Sequence, residues 1–64
     1  MIVNGKNHSY SAGMTVQSLL TSLGHDPLRV AVEKNGKIVP RARFADEPLG
    51  DADTLEIVQF VGGG

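Results

Sequence analysis

The sequence predicts an α+β fold, in which a mixed sheet of four to five strands carries one helix packed on one face. Three observations support this prediction. Two Asn-Gly dipeptides, at residues 4–5 and 35–36, each separate short strand-like segments, a pattern typical of β-hairpins. Residues 16–23, between the two dipeptides, have the spacing of an amphipathic helix. The longest apolar segment, residues 54–61, comes last.

The first hairpin is expected to consist of strands at residues 1–4 and 7–11. An Asn-Gly pair suits this connection because both residues tolerate the positive φ angles of a type I′ turn. A second turn at Gly13 then leads to Thr15, whose hydroxyl group makes it a good helix N-cap.

The helix is predicted from one full match to the amphipathic pattern. Apolar side chains recur at i, i+3, i+4 and i+7 and define the buried side, which comprises Val16, Leu19, Leu20 and Leu23. Polar residues occupy the solvent side, namely Gln17, Ser18, Thr21 and Ser22. Gly24 is suited to the left-handed position that ends a helix, and Pro27 prevents its continuation.

The second hairpin is expected at residues 29–34 and 37–39, and Pro40 ends it. Residues 41–53 are predicted to be irregular. Three of their side chains are expected to anchor this segment in the core, namely Phe44, Pro48 and Leu49. The last strand is apolar on both sides, which is typical of a central strand. Leu55 and Ile57 are expected on one side, and Glu56, Val58 and Phe60 on the other.

The element order is therefore β-β-α-β-β-β. One helix cannot cover both faces of such a sheet, so the domain is expected to have two layers. A late central strand is expected to insert beside the first strand, which is the β-grasp arrangement. The predicted domain covers residues 1–61, and a flexible glycine tail covers residues 62–64.

Composition excludes several classes of function. A chain of 64 residues with 41% hydrophobic residues can form one small core but no deep cavity. The absence of cysteine excludes disulfides, thiolate metal sites and cysteine nucleophiles. A net charge of -1 disfavours nucleic-acid binding. No apolar run approaches the roughly 20 residues of a membrane span, and there is no signal-peptide pattern. A small cytoplasmic domain without membrane or nucleic-acid partners is expected.

The sequence contains no conventional catalytic constellation. His8 and His25 are separated along the chain and are interpreted as solvated or capping residues. Asp51 and Asp53 are interpreted as turn-forming residues rather than a cation site. A cationic set around the second hairpin is interpreted as a solvated face, with a docking patch for an acidic partner as the alternative; it comprises Lys34, Lys37, Arg41 and Arg43.

The three final glycines have a physical use. Extended, Gly62, Gly63 and Gly64 reach roughly 10 Å, and without Cβ atoms they can thread a narrow channel. They would deliver a terminal carboxyl group, which is ionised at neutral pH since its pKa is roughly 3.5. A carboxylate is a poor electrophile, so a partner would have to activate it, for example as an acyl-adenylate. The alternative interpretation is a frayed end.

Several segments, taken in order over the whole chain, resemble the ThiS family. These are Val30-Ala31-Val32-Glu33 with Asn35-Gly36, Ile38-Val39-Pro40-Arg41, Asp53 before Leu55-Glu56-Ile57-Val58, and the final Val61-Gly62-Gly63-Gly64. The family consists of ubiquitin-like β-grasp sulfur carriers of thiamine thiazole biosynthesis.

The resemblance implies that a ThiF-type, E1-like enzyme uses ATP to adenylate Gly64. Sulfur from a donor protein then replaces AMP, and a ThiG-type thiazole synthase consumes the resulting thiocarboxylate. Gly62 and Gly63 would thread the partner's channel. The chain would be a protein co-substrate without a bound cofactor, and not an enzyme.

Val58 and Phe60 are predicted to belong to the surface that docks the activating enzyme, because one helix leaves their side of the sheet uncovered. The alternative for Phe60 is a core contact with the second hairpin or with residues 41–53.

Three other functions fit the same sequence features. A molybdopterin-synthase small subunit shares the fold and the thiocarboxylate, but is generally longer in its second half. A ubiquitin-like modifier would form isopeptide bonds through its terminal glycine. A β-grasp binding module would have an inert tail, so deletion of Gly63 and Gly64 would leave its function intact.

Overall fold

The computed structural model describes residues 1–60, and its elements follow the predicted order. The strands and the helix are β1 Ile2–Val3, β2 Lys6–Asn7, α1 Val16–Leu23, β3 Val30–Lys34, β4 Lys37–Ile38 and β5 Thr54–Gln59. Two 3₁₀ turns, Pro27–Arg29 and Arg41–Arg43, complete the described part. The predicted domain boundary at residue 61 and the tail over residues 62–64 lie outside it. Within residues 1–60, no helix has the length and hydropathy needed to cross a membrane.

The five strands form one mixed sheet in the order β2-β1-β5-β3-β4. β1 and β5 are parallel, with Ile2 opposite Thr54 and Val3 opposite Leu55. The other strand pairs are antiparallel. The last strand thus lies in the centre beside the first, and the predicted ubiquitin-like β-grasp arrangement is confirmed.

The helix begins and ends where the sequence predicts. Thr15 accepts a hydrogen bond from the Ser18 amide at 3.2 Å, and the Ser18 hydroxyl accepts one from the Thr15 amide at 2.9 Å, which completes a capping box. Gly24 closes the helix with a φ of 79°. The prediction was wrong for Leu23, which is 39% exposed and lines a surface cleft together with residues of the first hairpin.

The core lies between the helix and one face of the sheet. Val16, Leu19 and Leu20 of the helix are fully buried. The rest of the core comes from the strands and from the segment after β4: Val3, Val30, Val32, Val39, Phe44, Leu49, Leu55 and Ile57. The opposite face of the sheet carries no second layer within residues 1–60, which leaves that face open.

The irregular segment after β4 closes the N-terminal end of the helix. The Phe44 carbonyl accepts a hydrogen bond from the Gln17 amide at 2.9 Å, and the Glu47 carbonyl accepts one from the Val16 amide at 3.1 Å. These bonds satisfy amides that have no partner within a helix. Phe44 and Leu49 are buried anchors as predicted. The prediction was wrong for Pro48, which is exposed and pairs through its backbone with Thr15.

The second strand of the first hairpin is shorter than predicted. Residues 7–11 were expected in it, but β2 ends at Asn7. The His8 amide still donates to the Met1 carbonyl at 2.9 Å, and in this antiparallel register residues 9–11 have no opposite residue in β1. The second hairpin and β5 agree with the prediction to within two residues, apart from residue 61, which is outside the described range.

Asn4 extends the pairing of β5 beyond the end of β1. The chain turns away at Asn4, whose φ is 51°. Its side chain nevertheless donates to the Ile57 carbonyl at 3.1 Å and accepts from the Ile57 amide at 2.7 Å. The carboxamide of Asn4 therefore takes the place of the next peptide group of a longer β1.

Asn35, in the second Asn-Gly turn, holds the other end of β5. Its backbone amide donates to the Thr54 carbonyl at 2.8 Å, and its side-chain oxygen accepts from the Thr54 amide at 2.9 Å. Its side-chain nitrogen donates to Asp53 at 2.9 Å. Asp53 also accepts from the Gly50 amide at 2.7 Å, and so it fixes the turn before β5.

Hydrogen bonds to the carboxylate set the pKa of Asp53. The bond from Asn35 lowers it most, burial opposes this effect, and the Gly50 amide, Lys34 and the N-terminal ammonium lower the pKa further. The pKa of Asp53 is consequently below its usual value of 3.8.

Replacing Asn4 with glycine tests the role of its carboxamide. Glycine tolerates the positive φ, so the variant loses the two bonds to Ile57 without backbone strain. We expect the free energy of unfolding to fall by about 1–3 kcal/mol in chemical denaturation. Asn7→Gly is the control, since Asn7 is exposed in β2 of the same hairpin. Equal losses in both variants would contradict the role of the carboxamide.

The lowered pKa of Asp53 predicts a defined acid dependence. A carboxyl group whose pKa is lower in the folded state than in the unfolded state stabilises the fold while the group is ionised. This stabilisation is complete above the unfolded-state pKa and is lost as the pH falls through the folded-state pKa. We expect Asp53→Asn to be less stable than the parent by about 1–2 kcal/mol at pH 7. This difference should shrink as the pH falls below 3.8 in denaturation measurements. A difference that stayed constant down to pH 2 would contradict it.

Candidate functional site

The residues predicted to carry the chemistry, Gly62, Gly63 and Gly64, lie outside the described residues. The description ends at Phe60, one residue after β5. The structure therefore shows the base from which the glycine segment starts and the surfaces around that base.

The base is held by both layers of the domain. The Phe60 amide donates to the Arg29 carbonyl at 2.8 Å, which continues the pairing of β5 with the chain before β3. Toward the helix layer, the Gln59 side-chain oxygen lies 3.1 Å from Nδ1 of His25, a residue just after the end of the helix. The backbone of His25 is fixed in turn, because its amide donates a hydrogen bond to the Leu20 carbonyl at 2.9 Å. The fold thus positions the chain up to Phe60.

The side chains of β5 separate into two sets, as predicted. Leu55 and Ile57 are buried in the core. Val58 is 59% exposed and Phe60 is 50% exposed. The exposure of Phe60 favours a surface position over the alternative of a full core contact. The role of both residues in docking stays a prediction.

Two further apolar residues extend this surface. Ala31 lies directly opposite Val58 in the β3–β5 pairing. Ile38 of β4 is 66% exposed and pairs with Glu33 of β3. Glu33 and Ala31 are two residues apart in β3 and share a face of the sheet, so Ile38 lies on that face too. We call Ala31, Ile38, Val58 and Phe60 the open-face patch.

Two carboxylates lie on the same face as the open-face patch. Glu33 of β3 and Glu56 of β5 are directly opposite each other. Glu33 is half-buried and Glu56 is exposed. The alternation of β5 predicts Glu56 on this side, as observed, but only the strand register brings Glu33 opposite to it.

The two histidines line one surface cleft of about 340 Å³, between the helix end and the first hairpin. Nδ1 of His8 lies 2.8 Å from the Ser9 carbonyl, and Nδ1 of His25 contacts Gln59. These are structural contacts with polar oxygens, in agreement with the interpretation of both residues as solvated or capping histidines.

The acidic residues before β5 form turns, as predicted. Asp53 accepts the bonds from Asn35 and Gly50, and Asp51 lies 3.6 Å from the N-terminal ammonium group. Residues 1–60 contain no group of three or more histidine, aspartate or glutamate side chains that could hold a metal ion.

The cationic set is not one solvated face. Lys34 is half-buried and donates to Glu47 at 2.9 Å and to the Pro48 carbonyl at 2.8 Å. Arg41 donates to the carbonyls of Pro27, at 2.9 Å, and Val30, at 3.2 Å. These two cations tie the irregular segment and the 3₁₀ turns to the sheet. The interpretation as a solvated face was wrong for the half-buried Lys34, whereas Arg41 is exposed.

Comparison with known proteins gives a consistent result. A profile described as the ThiS family matches residues 1–64. The sulfur carrier protein ThiS of Bacillus subtilis is 40% identical over 63 residues, which is 97% of this chain and 96% of that protein. The crystal structure of a thiamine biosynthesis protein (ThiS) from Geobacter metallireducens superimposes with a TM-score of 0.82 at 33% identity, covering 98% of this chain and 96% of that one.

A longer relative contains a similar segment. A thiazole synthase of Paramagnetospirillum magneticum is 48% identical over 64 residues, which is 100% of this chain but 20% of that protein. The chain therefore spans about a fifth of the length of this relative.

Proposed function

The chain belongs to the ThiS family of sulfur carriers of thiamine biosynthesis, and we propose that it carries sulfur as a thiocarboxylate at the carboxyl group of Gly64. A ThiS sulfur carrier is a protein co-substrate, so the chain is acted on and is not an enzyme. The observation that carries the proposal is the position of the three glycines in the sequence, two residues beyond a central strand whose end the fold holds up to Phe60.

The chemistry requires two steps on the carboxyl group. An oxygen of the carboxylate attacks the α-phosphate of ATP, which forms an acyl-adenylate and releases pyrophosphate. A sulfur nucleophile at the oxidation level of sulfide then attacks the acyl carbon and displaces AMP, which leaves sulfur in place of one oxygen. ATP is bound by the activating partner and not by this chain.

The partners follow from these steps. A ThiF-type adenylating enzyme binds the glycine segment, with Gly62 and Gly63 threaded toward its active site. A donor protein supplies sulfur, and a ThiG-type thiazole synthase receives it. Association with the synthase is supported by the thiazole synthase relative, in which a segment similar to this chain is part of the same polypeptide. The same relative favours the thiazole pathway over the molybdopterin alternative.

The open-face patch is the proposed docking surface for the adenylating enzyme. It is apolar and uncovered, and two of its members, Val58 and Phe60, lie at the end of the chain segment that precedes the glycines. A partner that contacts Val58 and Phe60 would have the start of the segment beside its own surface. Exposed aromatic residues at such positions are frequent anchors in protein interfaces.

Intact mass tests the carrier function. The purified chain is incubated with ATP, a sulfide source and extract containing the ThiF-type enzyme and the sulfur donor. We expect the mass to rise by the difference between one sulfur and one oxygen. A variant lacking Gly63 and Gly64 serves as the control and should keep its mass. An unchanged mass for the full chain, in an extract that thiolates the Bacillus subtilis ThiS, would contradict the proposal.

Substitution of Phe60 tests the docking surface. We expect Phe60→Ala to raise the KM for the carrier in adenylation by roughly tenfold, since a central aromatic anchor contributes at least about 1.4 kcal/mol. The measurement is pyrophosphate release by the ThiF-type enzyme at varied carrier concentration. Leu23→Ala is the matched control, because Leu23 is an exposed apolar residue on the helix side of the sheet. An unchanged KM for Phe60→Ala would exclude Phe60 from the docking surface.

A further inference from the structure

The open face of the sheet carries an arrangement that a free-standing domain does not need. Glu33 and Glu56 are directly opposite on adjacent antiparallel strands. Residues that are directly opposite on antiparallel strands have Cβ atoms about 4.5–5.5 Å apart. Like charges at such a pair of positions destabilise the sheet. The sheet therefore places two carboxylates side by side next to its exposed apolar residues.

No cation of the described chain compensates this pair. Within residues 1–60, neither Glu33 nor Glu56 takes part in an ion pair. Lys34, the next residue in β3, lies on the other face and contacts Glu47 at 2.9 Å. Arg29, just before β3, lies 3.5 Å from Asp26. The two carboxylates keep their hydrogen-bonding capacity for an outside group.

The surroundings of the pair define what can bind it. Ile38 flanks Glu33 on one side, and Ala31 and Val58 form the next cross-strand pair on the open face, toward the end of β5. A purely apolar partner surface laid on this face would strand two charges away from water, which is strongly unfavourable. A partner must therefore combine an apolar surface with a positive charge at the position of the pair.

We propose that Glu33 and Glu56 together receive an arginine side chain of the ThiF-type adenylating enzyme at the centre of the docking surface. The guanidinium group has five N–H donors in a planar fork and can bridge two carboxylates, which a lysine ammonium does less well. The inference rests on the proposed function and adds the chemical character of the partner's surface. It also makes the acidic pair a determinant of partner choice, because a surface with a negative charge there would be repelled.

The variant Glu33→Gln/Glu56→Gln tests the proposal by two effects of opposite sign. The free domain should become more stable, with a thermal midpoint higher by about 1–4 °C, because the like-charge contact is removed. The KM for the carrier in pyrophosphate release should rise about threefold to tenfold with kcat unchanged, because the ion pairs to the enzyme are lost. Added NaCl should raise the KM of the parent chain more than that of the variant.

Asp46→Asn is the matched control, since it removes one exposed acidic charge away from the open face and should leave the KM unchanged. Adenylation of the parent chain reports on the proposed function itself. If the parent is adenylated and the double variant keeps its KM, the acidic pair is not a recognition site. A variant that is adenylated normally but fails in sulfur transfer to the synthase would equally overturn the assignment to the adenylating enzyme.

Discussion

The hydrogen bonding of β5 by two asparagine side chains is the constraint on which the rest of the structure depends. Three of the five strands, β1, β2 and β4, contain only two residues each. Backbone pairing with β1 alone would leave the middle of β5 unsatisfied on that side. The carboxamide of Asn4 supplies the missing pair at Ile57, and Asn35 fixes the first residue, Thr54. Side chains in the two Asn-Gly turns thereby supply hydrogen bonds to the central strand that the short neighbouring strands do not supply.

This constraint also explains how so small a domain can have a function. Its core is one layer of side chains between a helix and a sheet, so the interior has no space for a substrate. Holding β5 in the centre gives the domain a fixed strand with a buried face and an open face. The buried face supplies stability through Leu55 and Ile57, and the open face remains available to a partner. The glycine segment starts from this strand, so recognition and chemistry are adjacent in sequence.

Local patterns predicted much of the fold, because helix capping and Asn-Gly turns are local effects. Thr15 and Gly24 defined the helix ends, and the apolar pattern of β5 indicated a central strand. The exposure of Leu23 and Pro48 was not predictable from periodicity, since it depends on the tertiary contacts around each side chain. Nothing in the sequence indicated that Glu33 and Glu56 face each other, because that contact follows from the register of strands far apart in the chain. The side-chain roles of Asn4 and Asn35 were hidden for the same reason.

Locating the sulfur atom tests the central claim most directly. The chain is recovered from cells that are making thiamine, digested, and its peptides are fragmented in a mass spectrometer. The account predicts that sulfur replaces one oxygen in the peptide that contains Gly64, at its terminal carboxyl group, and in no other peptide. Recovery of that peptide with an unmodified carboxyl group while another residue carries the sulfur would contradict it.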